Sequence, residues 1–251
     1  MAADPTSLSD AEAALAEAHR RTDALAMYAR RVSHDLSNFL TVIRTYGELL
    51  LADTPPEAGS RHDLIEIGHA ADQTVAYLQR ASAFGRAMQA PAAALLLDGF
   101  LSAVVAQLTA AGKGPIRCAT TSGARVHGAA SAVADAVQEL VSNAREAVGR
   151  DHEVHVRSRP VTLETARVLG GVPLAAGTWG VIEVRDAGPG FDPTIAANAC
   201  DPFVTTKSGV RGAGLGLAIA RAAAWGAGGQ LIIGREHDET VVSLWLPTTS
   251  A

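Results

Sequence analysis

Val32-Ser33-His34-Asp35-Leu36-Ser37-Asn38-Phe39-Leu40 lies inside a heptad that decides how the chain begins to fold. Leu8, Ala11, Leu15, Ala18, Leu25, Ala29, Val32, Leu36, Phe39, Ile43, Tyr46 and Leu50 recur in steps of three and four, with Thr22 the one polar member. Apolar residues at that spacing line one side of an α-helix. A helix over residues 8–52 would run about 60 Å at the usual rise per residue. Thr54-Pro55-Pro56 stops it and Gly59 lies in the turn. A second helix over residues 60–88 carries Leu64, Ile67, Ala71, Val75, Leu78 and Ala81 on one side. One hairpin cannot bury its own apolar face, so two of them should pair as a four-helix bundle. A homodimer is therefore expected; a single hairpin packed on the downstream domain is the other reading.

Composition limits the rest. The chain has 251 residues, 48% of them hydrophobic and 19% charged, which is enough apolar material for a core. Only 4% is aromatic, so that core is built mainly of Ala, Leu and Val. A net charge of −5 argues against a nucleic-acid footprint or a polybasic membrane anchor. The Met1–Asp10 start lacks the basic and apolar regions of a signal peptide. The most apolar stretch, Ala90–Gly112, is interrupted by Pro91, Asp98, Gly99 and Gln107, so no membrane insertion is expected. Cys118 and Cys200 make no disulfide framework, and a reduced, cytoplasmic setting is the default.

The heptad ends near Met88-Gln89-Ala90-Pro91, which divides the chain into a helical domain, residues 1–90, and a mixed domain, residues 91–251. In the second, Asp98 is placed to cap a helix over Gly99–Ala111. Ile116–Thr120, Arg125–His127, Glu153–Arg159 and Trp179–Arg185 are strand-like. Ala130–Gly149 reads as a helix with a glycine at its end, and Gly214–Trp225 as another. Gln230–Arg235 and Val241–Leu246 read as a closing hairpin, and Val161–Gly177 as a connection. Strands interleaved with helices point to an α/β sandwich.

Four clusters carry chemistry. With Val32 and Leu36 on the seam, His34 faces outward, with Asn38 one turn further on the same face. A neutral imidazole is a nucleophile, and the adjacent Asp35 can orient it. Glu139, Asn143 and Glu146 share a face of the Ala130–Gly149 helix. An amide oxygen there suits Mg2+ beside phosphates. Asp186-Ala187-Gly188-Pro189-Gly190 follows a strand, so a carboxylate acceptor stands next to backbone that a flat base can approach closely. Asp201-Pro202-Phe203-Val204-Thr205-Thr206-Lys207 precedes Gly212-Ala213-Gly214-Leu215-Gly216-Leu217, glycines that open a helix whose free N–H groups can face phosphate. Lys207 is placed to meet the same charge, and Gly209–Gly214 to close over a ligand. His19, His62, His69, His127, His152, His155 and His237 form no metal set.

In this order the clusters resemble the H, N, G1, F and G2 boxes of bacterial sensor histidine kinases, over roughly residues 25–247. His-Asp-Leu-Ser-Asn and Asp-Pro-Phe-Val-Thr-Thr-Lys are similar to the signatures of a subgroup that includes nitrogen-regulatory and cell-cycle kinases. The resemblance implies a dimerisation and histidine-phosphotransfer hairpin followed by an ATP-binding domain of the Bergerat (GHKL) fold. By position, His34 resembles the phosphoacceptor, Asp35 its acidic helper, and Asn38 the amide that positions water for dephosphorylating a response regulator. Asn143 resembles the Mg2+ ligand, and Asp186 the adenine-binding carboxylate. Gly188, Gly190, Gly212, Gly214 and Gly216, with Leu215 between the last two, resemble the residues around the nucleotide. Glu139 stands where the subgroup commonly has Asn, and an acid there is similar to the hydrolytic base of GHKL ATPases. Ala187 and Ala213 replace commoner polar residues. Phe39 stands where many kinases have proline, so no kink is expected in the first helix.

The implied function is ATP- and Mg2+-dependent autophosphorylation of His34 and transfer to a receiver-domain aspartate, with regulator phosphatase activity. An adaptor whose nucleotide domain does not turn over, and a GHKL clamp ATPase, are the alternatives. The signal would enter through the Leu8–Val32 coil from a separate sensor protein, or the chain is a piece of a longer kinase.

Overall fold

The computed structural model describes residues 5–249 except 122, 150, 193 and 207–213. α1 (Pro5–Asp53) is one uninterrupted helix, and α2 (Ser60–Ala87) folds back along it. The turn is secured by Arg61, whose guanidinium donates to the carbonyls of Leu51 and Thr54 at 3.0 and 2.8 Å. Those carbonyls belong to the end of α1, where no helical donor remains.

Within the hairpin, small residues of α1 face small and large residues of α2. Thr22, Ala26 and Ser33 of α1 are buried, and so are Ala71, Leu78, Ala81 and Phe84 of α2. Gly85 makes the approach possible, since a Cβ there would lie 2.5 Å from the Ala26 carbonyl oxygen. The larger residues of the heptad therefore point away: Phe39, Tyr46 and Leu50 are 66%, 64% and 56% exposed. The seam that the sequence suggests is offset from the one that joins α1 to α2, where the buried residues of α1 are small.

After α2 the chain forms β1 (Ala93–Leu96), α3 (Leu97–Ala110), β2 (Ile116–Thr120), β3 (Arg125–Gly128), α4 (Ala130–Val148) and β4 (Val154–Leu163). It continues through β5 (Arg167–Leu169), β6 (Val172–Leu174), β7 (Gly177–Asp186), α5 (Gly216–Gly226), β8 (Gln230–Glu236) and β9 (Glu239–Pro247). The main sheet has order β2-β4-β7-β9-β8; β2 and β4 run parallel and the other neighbours antiparallel. β1 pairs with β3, and β5 with β6. One face of the main sheet packs on α3, α4 and α5 through an Ala-, Leu- and Val-rich core. The other face carries a smaller cluster of Leu163, Leu174, Trp179, Val181, Ile232 and Trp245.

Two expectations need correction. Asp98 does not cap α3, whose cap is Leu96; its carboxylate instead accepts from Ser158 Oγ at 2.7 Å and the Gly123 N–H at 2.9 Å. Val161–Gly177 is not mere connection: it completes β4 and supplies the β5–β6 hairpin, whose Leu174 belongs to the smaller cluster. Among the described residues no helix is long and apolar enough to cross a membrane.

The α/β part packs against the hairpin, and two contacts carry specific side-chain geometry. The His19 ring of α1 stacks on Trp225 of α5, with centroids 4.9 Å apart and an 18° tilt. Arg221 lies over the same indole at 4.8 Å and pairs with Asp201 at 3.0 Å. At the other place Arg80 of α2 meets Glu139 of α4, with Nη2–Oε2 at 2.5 Å and Nε–Oε1 at 3.1 Å.

Candidate functional site

A cleft of about 260 Å³ opens between α4, the ends of β7 and β9, and the start of α5. Asp186 is the last residue of β7 and pairs in register with Thr240 of β9. Strand alternation turns both toward the helical side of the sheet, where they line the cleft. Asp186 is only 6% exposed, and its Oδ1 accepts the Gly188 N–H at 2.9 Å. Burial pushes its carboxyl above the ordinary carboxylate value, opposed by hydrogen bonds from the Gly188 N–H and the Thr240 hydroxyl and by the charge of Arg235. Thr240 Oγ1 is buried beside that carboxylate. A hydroxyl has both a donor and acceptor lone pairs, so one beside the carboxylate can also bond to a ligand in the cleft.

Glycine makes room around this pair. A Cβ on Gly188 would lie 2.7 Å from both Ala147 Cβ and Asp186 Oδ1. Gly190 has φ +86° and packs under the guanidinium of Arg235, which also reaches the Gly188 carbonyl. Gly214 has φ +63°, and its carbonyl accepts the Phe203 N–H at 2.8 Å; a Cβ there would strike the Phe203 backbone at 2.5 Å. Phe203 itself holds φ +70°, uncommon for a bulky side chain. Gly216 completes the set, since a Cβ on it would meet Glu139 Oε2 at 2.9 Å and Asn143 Nδ2 at 3.1 Å. Both polar groups of α4 thus press against the start of α5, whose first turn has no side-chain cap.

The structure brings Asn143, Asp186, Gly190, Gly214 and Gly216 to one cleft. Gly188 supports Asp186 from behind, and Leu215 is wholly buried as the residue that precedes α5. Glu139 lies beside the cleft, in a neighbouring groove between α2 and α4. Lys207 and Gly212 lie outside the described residues, as does most of Gly209–Gly214. His34, Asp35 and Asn38 are exposed on α1, and none of them lines the cleft. The His34 side chain is 75% exposed, with Nδ1 3.1 Å from Asp35 Oδ1. Sequence reading missed Thr240, Arg235 and Arg80, which reach the site from other elements and carry no local motif. Among the described residues no group of three or more His, Cys, Asp or Glu could hold a metal ion.

Chemically, the cleft offers a buried acceptor and a buried hydroxyl at one end, and an amide side chain with uncapped backbone N–H groups at the other. Such a site suits a flat base with an amino donor whose anionic tail reaches the helix start.

Residues 128–250 match the family of histidine kinase-, DNA gyrase B- and HSP90-like ATPases. The chain is 25% identical over 203 residues to the sensor kinase CckA of Brucella abortus (strain 2308), covering 80% of this chain and 22% of that protein. It is 33% identical over 117 residues to the sensory histidine kinase/phosphatase NtrB of Rhizobium meliloti (strain 1021), covering 44% of this chain and 28% of that one. It therefore spans between about a fifth and a third of the length of these relatives. The crystal structure of full-length ShkA in complex with AMPPNP superposes with TM-score 0.63 at 22% identity, over 89% of this chain and 46% of that one. The chain thus has a mixed α/β domain with the fold of these ATPases, preceded by helices, and the relatives it matches are sensor kinases.

Proposed function

We propose that the chain is the catalytic core of a two-component histidine kinase, in which ATP held in the cleft phosphorylates His34. The phosphohistidine then passes its phosphoryl group to an aspartate of a response-regulator receiver domain. The observation that carries this reading is His34 itself, an exposed ring whose Nδ1 is engaged by Asp35. A carboxylate accepts only, so the proton of the neutral ring sits on Nδ1 and the Nε2 lone pair faces out. In the transfer a bond forms from Nε2 to the γ-phosphorus and the bond to the ADP oxygen breaks. Asp35 then stabilises the positive charge that the ring acquires.

Asp186 and Thr240 suit the adenine end of ATP, and the uncapped start of α5 suits its phosphates. Asn143 would hold Mg2+ through Oδ1, an oxygen donor of the kind that this hard cation takes, with the remaining positions left to phosphate and water. When bound, the ion neutralises charge on the phosphates. Because His34 does not line the cleft, the ATPase domain must shift along the hairpin before transfer. The outward apolar stripe of α1 supports a homodimeric four-helix bundle. Asn38, exposed one turn beyond His34, is assigned the positioning of water for regulator dephosphorylation.

The test is incubation with γ-labelled ATP and mapping of the modified residue. Label that is acid-labile, base-stable and absent from His34→Gln is expected; label that persists in His34→Gln would refute the proposal.

A further inference from the structure

The pair between Arg80 and Glu139 is the most specific contact between the hairpin and the ATPase domain. Both oxygens of one carboxylate receive hydrogens from one guanidinium, a geometry that fixes orientation as well as charge. The Glu139 side chain is only 12% exposed and that of Arg80 29%, so the pair is shielded. Arg80 lines the cleft as well as the groove between α2 and α4. Glu139 Oε2 reaches the start of α5, where the phosphates of a nucleotide would end.

A carboxylate at that place is a candidate general base for water. Such a base must turn an oxygen toward the proton that it removes. In water attack on ATP, a bond would form from the water oxygen to the γ-phosphorus and the bond to the ADP oxygen would break. The water proton would go to Glu139. That reaction destroys ATP without phosphorylating His34. Building on the kinase reading, we propose that Arg80 decides which acceptor receives the phosphoryl group. Held by Arg80, Glu139 is turned toward α2 and cannot serve water while the domain is docked away from His34. Arg80 is thus a positioning residue that acts through Glu139, and the guard exists only while hairpin and domain are in contact.

The experiment measures phosphate release from ATP by the full chain in the His34→Gln background, which removes the phosphohistidine route. Affinity for a fluorescent ATP analogue is measured alongside. Arg80→Ala is expected to raise phosphate release by about tenfold or more, since a positioned general base is worth on the order of 10²–10⁴ in rate. Release is compared at saturating nucleotide, so that a change in affinity does not enter the rate. Arg80→Lys, which keeps the charge, should raise release less, and adding Glu139→Gln to Arg80→Ala should abolish the gain. Unchanged or slower release with intact affinity would overturn the proposal, and so would a gain that survives Glu139→Gln. Loss of nucleotide binding in Arg80→Ala would overturn it too, making Arg80 a phosphate ligand. Failure of the unmodified chain to bind nucleotide or label His34 would instead refute the kinase reading, a separate outcome.

Discussion

Asp186 shows how much one residue's surroundings decide. Its ionised form is the one that accepts an adenine amino hydrogen, and burial works against that form. Nucleotide affinity should therefore be flat above its raised pKa and fall as pH drops through it, at a higher pH than for an exposed carboxylate. Asp186→Asn should cost about 1.5–3 kcal/mol of binding, the worth of a hydrogen bond to a charged group, and should remove that pH dependence. Calorimetric titration across pH checks both. Gly188→Ala tests the same site by geometry, because the added methyl displaces Asp186 Oδ1 or Ala147. Affinity should drop while the far-UV spectrum is retained; unchanged affinity would mean that the Asp186 carboxylate does not need its present position. The Asp-x-Gly-x-Gly spacing after a strand was legible, since strand end and turn are local properties. Thr240 was not, because its place beside Asp186 is set by strand register between β7 and β9. Arg80 was not either, because only packing between domains brings it to Glu139.

At the scale of elements, periodicity located the helices and most strands, and failed where residues interrupted it. Pro160 lies inside β4, paired with Gly180 of β7. Among the described residues β2 pairs with β4 only as far as Ser158, and a proline is tolerated where the ladder needs no N–H from it. The following Gly170-Gly171 and Pro173 hid the β5–β6 hairpin in the same way. The outer sheet face also holds a charge network that alternation alone does not reveal. Glu183, 2% exposed, accepts from Arg157 at 2.5 Å, Arg159 at 2.7 Å and Arg185 at 3.1 Å. Burial pushes its carboxyl up, but the hydrogen bonds from Arg157 and Arg159 outweigh that and hold it below its ordinary value of 4.5. A depressed carboxylate stabilises the fold above its unfolded pKa, and the contribution disappears as pH falls through the lower folded value. Glu183→Gln should cost roughly 2–3 kcal/mol at neutral pH, near the low end for a broken buried pair because Arg157 and Arg159 reach solvent. Denaturant unfolding should show that difference shrinking below pH 4.5. A constant difference down to strong acid would rule out this ladder as its source.

For the whole molecule, the question is what covers the outward face of α1. Leu36, Phe39, Ile43, Tyr46 and Leu50 are all more than two-fifths exposed, in one stripe along the upper helix. The lower helix is occupied differently, since His19 is stacked on Trp225 of the same chain. The proposed dimer therefore joins the hairpins through their upper halves and leaves the lower part of α1 to its own ATPase domain. A two-fold interface buries each residue twice, so one substitution acts twice on dimer stability. Phe39→Glu removes a side chain worth about 1.5–3 kcal/mol when buried and adds a charge that must be desolvated. Counted twice, the loss is about 3–6 kcal/mol, which weakens association by roughly 10²–10⁴-fold. Sedimentation equilibrium at micromolar concentration should show a dimer for the unmodified chain and a monomer for Phe39→Glu. The cleft lies within one chain, so the monomer should bind nucleotide with unaltered affinity. A dimer that survives the substitution would place the contact elsewhere, and a chain that is monomeric from the start would leave the stripe to another partner.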